Sequence, residues 1–207
     1  MGAAGLAPVG APNIMQSAQG FKPEMSQSDS EHPTKSHGAT PEDLFKRFDV
    51  LGIETVTHRH PPLFTVEESR RLRGAIAGSH CKSLFLKDRK SGLWLVMVAE
   101  DHAVDLNALA RTLAAPRFSF ADAALMDAAL GVAPGSVTPF ALINDRTHRV
   151  KVVLDKTMLA APLVNFHPLI NTATTTIASR DLLAFIAALG HHGAIVEVPR
   201  RQVGPGA

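Results

Sequence analysis

The sequence predicts a mixed α/β fold, in which helices pack on a β-sheet. Helix signals with capping residues alternate along the chain with short runs of apolar and β-branched residues, which are typical of strands. Two of these runs, 82–87 and 93–99, are joined by the polar, glycine-containing stretch 88–92, which predicts a hairpin. Because hairpins and intervening helices occur together, the pattern favours a mixed sheet with helices packed on it.

The predicted helices are defined by capping residues and by apolar periodicity. Thr40 caps a helix that begins at Pro41 and that Gly52 ends, with its apolar residues on one face. Thr65 and Glu68 have the spacing of a capping box, which predicts a short helix to about residue 72. Further helices are predicted up to 113, over 121–130 and over 180–189, with Asp105, Gly131, Ser179 and Gly190 at their ends.

The predicted strands are runs in which apolar or β-branched residues alternate or dominate. They lie at 54–59, 82–87, 93–99, 140–143, 149–154, 172–177 and 194–198. The strand at 140–143 follows the turn-forming pairs Pro134-Gly135 and Thr138-Pro139, which predict a tight loop that leads directly into a strand. Gly135 lets the backbone of this loop approach a ligand closely, because glycine has no Cβ.

Length and composition favour one domain with an unstructured segment at each end. The chain has 207 residues, of which 45% are hydrophobic, enough for a sizeable core. We expect a disordered extension at 1–39, a folded domain at 40–198 and a flexible tail at 199–207. No apolar run approaches the roughly 18 residues of a membrane span. The single cysteine suits a reducing compartment, and a cytoplasmic location is predicted.

The charge distribution argues against a protein that binds duplex DNA over a wide basic face. The formal net charge is only +2, whereas such proteins are usually far more basic. Two local basic groups remain, and either could be solvated surface or could contact RNA phosphates. They comprise Arg70, Arg71 and Arg73, and Lys87, Arg89 and Lys90.

Neither a cysteine nucleophile nor a metal centre is expected. On a strand, His80 and Lys82 point away from the face that carries Cys81, so neither can readily lower the pKa of its thiol, and a buried structural cysteine is favoured. The histidine pairs 58/60 and 191/192 lack a third ligand at a recognisable spacing.

Three separated segments, in this order, resemble the YbaK/ProX group, the freestanding relatives of the bacterial prolyl-tRNA synthetase editing domain. They are 78–88, the loop Gly135-x-x-x-Pro139, and 165–177. In detail the chain is similar to the ProXp-ala, or PrdX-like, branch, which removes alanine mischarged onto proline tRNA. The resemblance covers about 41–198. It implies a compact mixed, mostly antiparallel, curved sheet with flanking helices and an open cleft, and no cofactor.

The resemblance also implies roles for individual residues. Lys82 would be essential and would contact the terminal nucleotide or the scissile ester of the substrate. His167 would line the aminoacyl pocket, and Asn171 would orient its neighbours. Ser83 departs from the pattern, because the family usually has asparagine directly after the lysine.

The Gly135–Pro139 loop is the predicted oxyanion site. Backbone N–H groups in such a loop can stabilise the charge that develops on an ester carbonyl during hydrolysis. Gly135 and Pro139 shape the loop, and Ser136 and Thr138 within it are assigned to substrate binding.

The implied function is that of a trans-editing aminoacyl-tRNA deacylase acting on Ala-tRNA(Pro). Water would be the nucleophile, assisted by the ribose hydroxyl of the substrate. The expected partners are the acceptor end of the tRNA and, transiently, prolyl-tRNA synthetase or an elongation factor. Two alternatives stay open: a deacylase for Cys-tRNA(Pro), and a non-catalytic module that binds tRNA or a synthetase, for which Ser83 is the main support.

Overall fold

The computed structural model describes residues 38–61 and 76–201 of the chain. The predicted helix at 65–72, the first basic group and most of both predicted unstructured ends lie outside these ranges. The described residues form five α-helices, one 3₁₀-helix and eight strands. In chain order they are α1 (Pro41–Leu51), β1 (Thr55–Arg59), β2 (Ser79–Asp88), β3 (Leu93–Ala99), α2 (Leu106–Thr112), β4 (Phe118–Phe120), α3 (Ala123–Leu130), the 3₁₀-helix (Pro139–Asn144), β5 (Val150–Asp155), α4 (Lys156–Leu159), β6 (Leu163–Phe166), β7 (Ala173–Ala178), α5 (Ser179–Ala188) and β8 (Gly193–Val196).

The eight strands form one mixed sheet, which confirms the predicted fold class. The strand order is β1-β7-β6-β2-β3-β5-β8, and β4 pairs with β2 beside this path. Four strand pairs are antiparallel and three are parallel. The predicted hairpin joins β2 to β3, with Lys82 opposite Val98 and Leu86 opposite Trp94.

The apolar residues are divided between two core clusters. Alternation along β2 places Phe85 in the larger cluster and its neighbour Leu86 in the smaller one. In the larger cluster, the rings of Phe48, Phe140 and Phe185 pack against each other at centroid distances of 5.0 to 5.7 Å. None of the helices within the described ranges combines the length and the hydropathy of a membrane span.

The first predicted helix is confirmed at both ends. The N–H of Asp43 donates to the Thr40 hydroxyl at 3.2 Å, and the N–H of Thr40 donates to the Asp43 carboxylate at 3.0 Å. This is a reciprocal capping box. Gly52 ends α1 with a left-handed φ of 65°.

Two predicted features are wrong. Residues 140–143 are not a strand but lie in the 3₁₀-helix, because Thr138 caps this segment and Pro139 occupies its first position. Phe140, Ala141 and Leu142 are buried because the short helix is inserted into the core, whereas Ile143 is half-buried. Ser179 does not cap α5: β7 runs directly into the helix, Ala178 takes the cap position, and the Ser179 hydroxyl donates to the Ala161 carbonyl at 2.5 Å.

Three short elements were not predicted. Strand β4 has three residues and β6 has four, so neither shows enough alternation to be recognised. The third, α4, is a single turn, and the Asp155 side chain accepts a hydrogen bond from the N–H of Met158 at its start.

Candidate functional site

A cleft opens where β2 changes partners. Along one edge β2 pairs with β3, but along the other it pairs with β6 only at 79–80 and with β4 only at 86–88. Among the described strands, none covers the second edge between these two points. The cleft there has a volume of about 340 Å³. Its lining residues are Cys81, Lys82, Ser83, Leu84, Phe85, Glu100, Phe120, Met126, Pro134, Gly135, Val137, Phe166 and His167.

Lys82 lies in this cleft and is half-buried. Its ammonium Nζ donates to the backbone carbonyl of Glu100 at 2.7 Å, which holds the side chain at the end of β3. An ammonium has three N–H donors, and within the described part of the chain this bond uses one of them. The cation is therefore anchored and still able to bind an anionic or carbonyl oxygen.

The loop before the 3₁₀-helix contains a type II turn. The N–H of Ser136 donates to the carbonyl of Ala133 at 3.0 Å, and Pro134 and Gly135 occupy the two central positions. Gly135 has a φ of +87°, the left-handed value that this turn requires and that glycine adopts without strain. Among the residues that the structure describes, none accepts a hydrogen bond from the N–H of Gly135 or Val137. Gly135 and Val137 both line the cleft, so this loop contributes two backbone donors without a described acceptor to the cleft lining.

The other predicted residues of the loop lie behind the cleft wall. Thr138 is fully buried, and its hydroxyl accepts a hydrogen bond from the N–H of Phe140 at 3.4 Å. Pro139 is buried at the first position of the 3₁₀-helix, and Ser136 is 6% exposed. These three residues join the turn to the core, and the structure does not bring their side chains to the cleft.

His167 reaches the cleft from the end of β6. Its Nδ1 lies 2.8 Å from the carbonyl oxygen of Ala173, and because a carbonyl can only accept, Nδ1 carries the proton. Burial lowers the pKa of His167 below its usual value, so the ring is neutral at pH 7. A neutral ring protonated on Nδ1 has a lone pair on Nε2, which can accept a hydrogen bond from a substrate or water.

The backbone just after His167 is strained. Leu169 has a left-handed φ of 69°, and its N–H donates to the His167 carbonyl at 3.0 Å across Pro168. Bulky side chains rarely adopt this conformation, and such strain often occurs beside functional sites.

Asn171 follows this turn and lies beside the type II turn. Its side chain is exposed, and its Nδ2 is 4.0 Å from the position that a Cβ on Gly135 would occupy. The structure therefore brings the second and third sequence segments together, although Asn171 does not line the cleft itself.

Ser83 has a hydroxyl group whose hydrogen-bonding capacity is unused among the described residues. Its hydroxyl oxygen is buried in the cleft and has no hydrogen-bond partner among the described residues. A buried hydroxyl without a partner is unfavourable, so a ligand or water that bonds it would be stabilised.

Cys81 lines the cleft but is unsuited to nucleophilic attack. Its thiol is half-buried rather than fully buried, and it donates to the carbonyl of Ser79 at 3.3 Å. Burial raises the pKa of the thiol to about 11, so it is protonated at neutral pH.

A second group of histidines lies away from the cleft. His191 is 4% exposed, its Nε2 is 3.9 Å from a carboxylate oxygen of Asp145, and its ring centroid is 4.9 Å from that of His148. Burial lowers the pKa of His191. Within 38–61 and 76–201, no three His, Cys, Asp or Glu side chains lie close enough together to hold a metal ion.

Sequence reasoning missed the apolar walls of the cleft. Phe120 and Met126 come from β4 and α3, and Phe166 ends β6. Phe166 lies within the third sequence segment but was given no role there, and no motif marks Phe120 or Met126, which the sheet topology brings beside Lys82.

Comparisons with known proteins find relatives in both sequence and fold. A family model of the aminoacyl-tRNA editing domain matches residues 60–185, which contain the whole cleft. Prolyl-tRNA synthetase associated domain-containing protein 1 of Bos taurus is 41% identical over 153 residues, which are 72% of this chain and 89% of that protein. The prolyl-tRNA editing protein ProX of Acetoanaerobium sticklandii is 31% identical over 156 residues, which are 75% of this chain and 95% of ProX.

A solved structure also shares the fold. The crystal structure of a candidate trans-editing enzyme for prolyl tRNA synthetase aligns with a TM-score of 0.60 at 21% identity, covering 78% of this chain and 97% of that chain. At this identity the similarity shows that the two chains share a fold.

Proposed function

Because the chain belongs to the aminoacyl-tRNA editing domain family, we propose that it is a deacylase that hydrolyses alanine mischarged onto proline tRNA. One observation carries this proposal: a single cleft holds an anchored cation, two backbone donors and a neutral histidine. These groups are Lys82, the N–H groups of Gly135 and Val137, and His167. The proposed partner is the acceptor end of the tRNA, with transient contact to prolyl-tRNA synthetase or an elongation factor.

In the proposed reaction, water attacks the carbonyl carbon of the ester. The N–H groups of Gly135 and Val137 would stabilise the negative charge that develops on the carbonyl oxygen. The bond between that carbon and the ribose oxygen then breaks, and the ribose oxygen takes up the proton that the attacking water loses. The products are the free amino acid and a tRNA with a free terminal hydroxyl.

Lys82 anchors the substrate in this proposal. The two ammonium donors that do not bind Glu100 would contact the terminal nucleotide or the ester itself. A compact, strongly hydrated ammonium suits a phosphate or carbonyl oxygen, and its bond to a backbone carbonyl preorganises it before the substrate arrives.

No protein nucleophile is needed, since an aminoacyl ester is already activated. The thiol of Cys81, with a pKa of about 11, is a poor candidate. The neutral ring of His167 would instead accept a hydrogen bond at Nε2 from the terminal ribose hydroxyl, which in turn assists the attacking water.

Selection among amino acids would come from the apolar walls of the cleft. Phe85, Val137 and Phe166 line the cleft, and in this proposal they would contact the aminoacyl side chain and exclude bulky ones by steric clash. Discrimination between alanine and cysteine is harder, because small apolar differences are worth only about 1–3 kcal/mol.

The basic hairpin turn is the proposed contact to the acceptor stem. Lys87 lies five residues beyond Lys82 on β2, which is about 17 Å along a strand. Arg89 and Lys90 continue this exposed surface, and Lys87 is ion-paired to Asp122 at 3.3 Å.

Deacylation of Ala-tRNA(Pro), Cys-tRNA(Pro) and Pro-tRNA(Pro) tests the proposal. We expect the native chain to release alanine alone and Lys82→Ala to slow this release about 100-fold or more. Lys151→Ala is the matched control, because Lys151 lies 4.5 Å over the Trp94 ring, outside the cleft. Release of cysteine alone would contradict the alanine specificity but keep the chemistry. Failure to hydrolyse any of the three, with tRNA still bound, would favour the binding module.

A further inference from the structure

Phe120 is unusual among the exposed apolar side chains. Four large hydrophobic side chains are exposed within the described ranges, and Phe120, at 60%, is the aromatic one among them. It also lines the cleft, whereas Val50, Val56 and Ile195 do not. Its place in the lining of the cleft, where ligand pockets commonly carry aromatic side chains, makes this ring available for contact with a ligand.

The backbone around Phe120 is held firmly. Phe120 pairs with Leu86 of β2, and the N–H of Ala121 donates to the Phe85 carbonyl at 3.0 Å. Directly after this, the Asp122 carboxylate caps α3 by accepting from the N–H of Leu125 at 2.9 Å. The ring is thus presented on a rigid support, so that binding a flat ligand orders few additional groups.

The surroundings of Phe120 favour a nucleobase as the ligand. The same cleft contains Lys82, which shares a face of β2 with Leu86, the residue that pairs with Phe120. An aromatic surface beside a cation suits an RNA end, whose bases stack on aromatic rings while its phosphates contact lysines. The methyl group of an alanyl substrate is too small to cover an exposed phenyl ring.

We propose that Phe120 is the surface on which the terminal adenine of the aminoacyl-tRNA stacks. This proposal rests on the proposed function, since it takes the aminoacyl-adenosine end as the substrate. Phe120 would place the base, Lys82 and the loop amides would receive the ester, and base stacking would contribute affinity without regard to the amino acid.

The test compares two model esters that differ only in the base. They are alanine esterified to the ribose of adenosine and alanine esterified to methyl riboside. We expect Phe120→Ala to raise KM for the adenosine ester by about 5- to 150-fold with little change in kcat, and to leave the riboside ester unaffected. Phe120→Trp should retain the preference for adenosine, Phe120→Leu should lose it, and Val50→Ala is the exposed apolar control.

Three results would overturn the proposal. They are an equal loss for both esters in Phe120→Ala, an unchanged KM for the adenosine ester, and full retention of the preference in Phe120→Leu. If the native chain hydrolyses neither ester, the deacylase function fails separately. Calorimetry with the non-hydrolysable alanyl-amide of 3′-amino-adenosine then decides the stacking: binding weakened by Phe120→Ala supports it, and binding unaffected by this substitution overturns it.

Discussion

Two turns of this molecule use their polar groups in opposite ways. In the hairpin turn, the Asp88 carboxylate accepts hydrogen bonds from the N–H groups of Lys90 and Gly92 and from the Trp94 indole at 2.8, 2.9 and 3.0 Å. In the type II turn, the N–H of Ser136 closes the turn, while those of Gly135 and Val137 bind no described residue. The first turn satisfies its own donors, and the second leaves donors for a ligand.

We therefore expect the hairpin turn to contribute to stability and the type II turn to contribute to function. A polar group that is satisfied within the protein supports the fold, and its removal leaves partners unpaired. A polar group without a partner does not stabilise the fold and, where it is buried, destabilises it, so its removal should lower ligand binding or catalysis without lowering stability. The two turns therefore predict opposite patterns of mutational effects.

The largest effect on stability is expected for Asp88→Ala. Asp88 is 8% exposed, and its loss removes the acceptor for two amides and the buried indole N–H of Trp94. We expect a loss of about 3 kcal/mol in the free energy of unfolding, roughly 150-fold in the folding equilibrium, measured by urea denaturation. The kcat per folded molecule for a minimal alanyl-adenosine ester, which lacks the acceptor stem, should not change.

The pH dependence of stability provides a control for Asp88. Burial alone would raise the pKa of Asp88, but hydrogen bonds from Trp94, Gly92 and Lys90 lower it below its usual value. A lowered pKa means that this stabilisation is present above about pH 4 and is lost as the pH falls further. Asp88→Ala should weaken that acid sensitivity. An Asp88→Ala protein as stable as the native one would remove the contrast between the two turns.

The second prediction compares alanine substitutions at Gly135 and Gly52 in their effects on stability and on deacylation. Both glycines have a left-handed φ, +87° and +65°, and a Cβ would find no atom closer than 4.0 Å at either position. We expect each Gly→Ala substitution to cost about 1–2 kcal/mol of stability through backbone strain. Gly135→Ala alone should also slow deacylation, by about 10- to 100-fold, because it displaces the loop donors. Equal rates in the two variants would refute the role of the loop.

A third, smaller effect distinguishes the two buried histidines. Burial lowers the pKa of both His167 and His191 below 6.5, so both are neutral at pH 7. For both, stability is present above about pH 6.5 and decreases as the pH falls below it, because the unfolded chain binds the proton more tightly. Only His167 lines the cleft, so protonation of His167 alone should reduce the rate of deacylation.

The corresponding measurement is a pH–rate profile corrected for spontaneous ester hydrolysis. We expect a level rate from pH 8 to about 6.5 and a decrease only below that range, in the native chain and in His191→Asn alike. A decrease in the rate of deacylation between pH 8 and 7 would show that protonation of His167 does not determine the pH dependence. His167→Asn should abolish the decrease in rate at low pH that protonation of His167 causes.

The sequence predicts much of this molecule wherever local chemistry decides the structure. Capping residues located α1, and alternation located β2 and β3. The strand predicted at 140–143 is wrong because an apolar run has no preferred period when it is buried on all sides. Short elements such as β4 depend on pairing partners that are distant in sequence, so no local pattern reveals them.

The residues of the candidate site also divide into those that the local sequence predicts and those that only the sheet topology places there. Lys82, Ser83, Gly135 and His167 were predicted from their segments, and the structure brings them into one cleft. Phe120 could not be predicted, since its position follows from the pairing of β4 with Leu86. The cleft itself exists because β2 changes partners, which is a property of topology and not of any motif.

The smallest expected effect tests the contrast between satisfied and unsatisfied groups most directly. Ser83 has a buried hydroxyl without a described partner, so Ser83→Ala should leave the protein equally stable or more stable by up to about 1 kcal/mol, opposite in sign to Asp88→Ala. If the hydroxyl contacts the substrate, deacylation should slow by a few-fold, about 1 kcal/mol of transition-state stabilisation. Ser83→Asn, which restores the residue usual in the family, should recover or exceed the native rate. Destabilisation by Ser83→Ala would mean that the hydroxyl already supports the fold. Ser83 would then be a polar group satisfied within the protein, as Asp88 is in the hairpin turn.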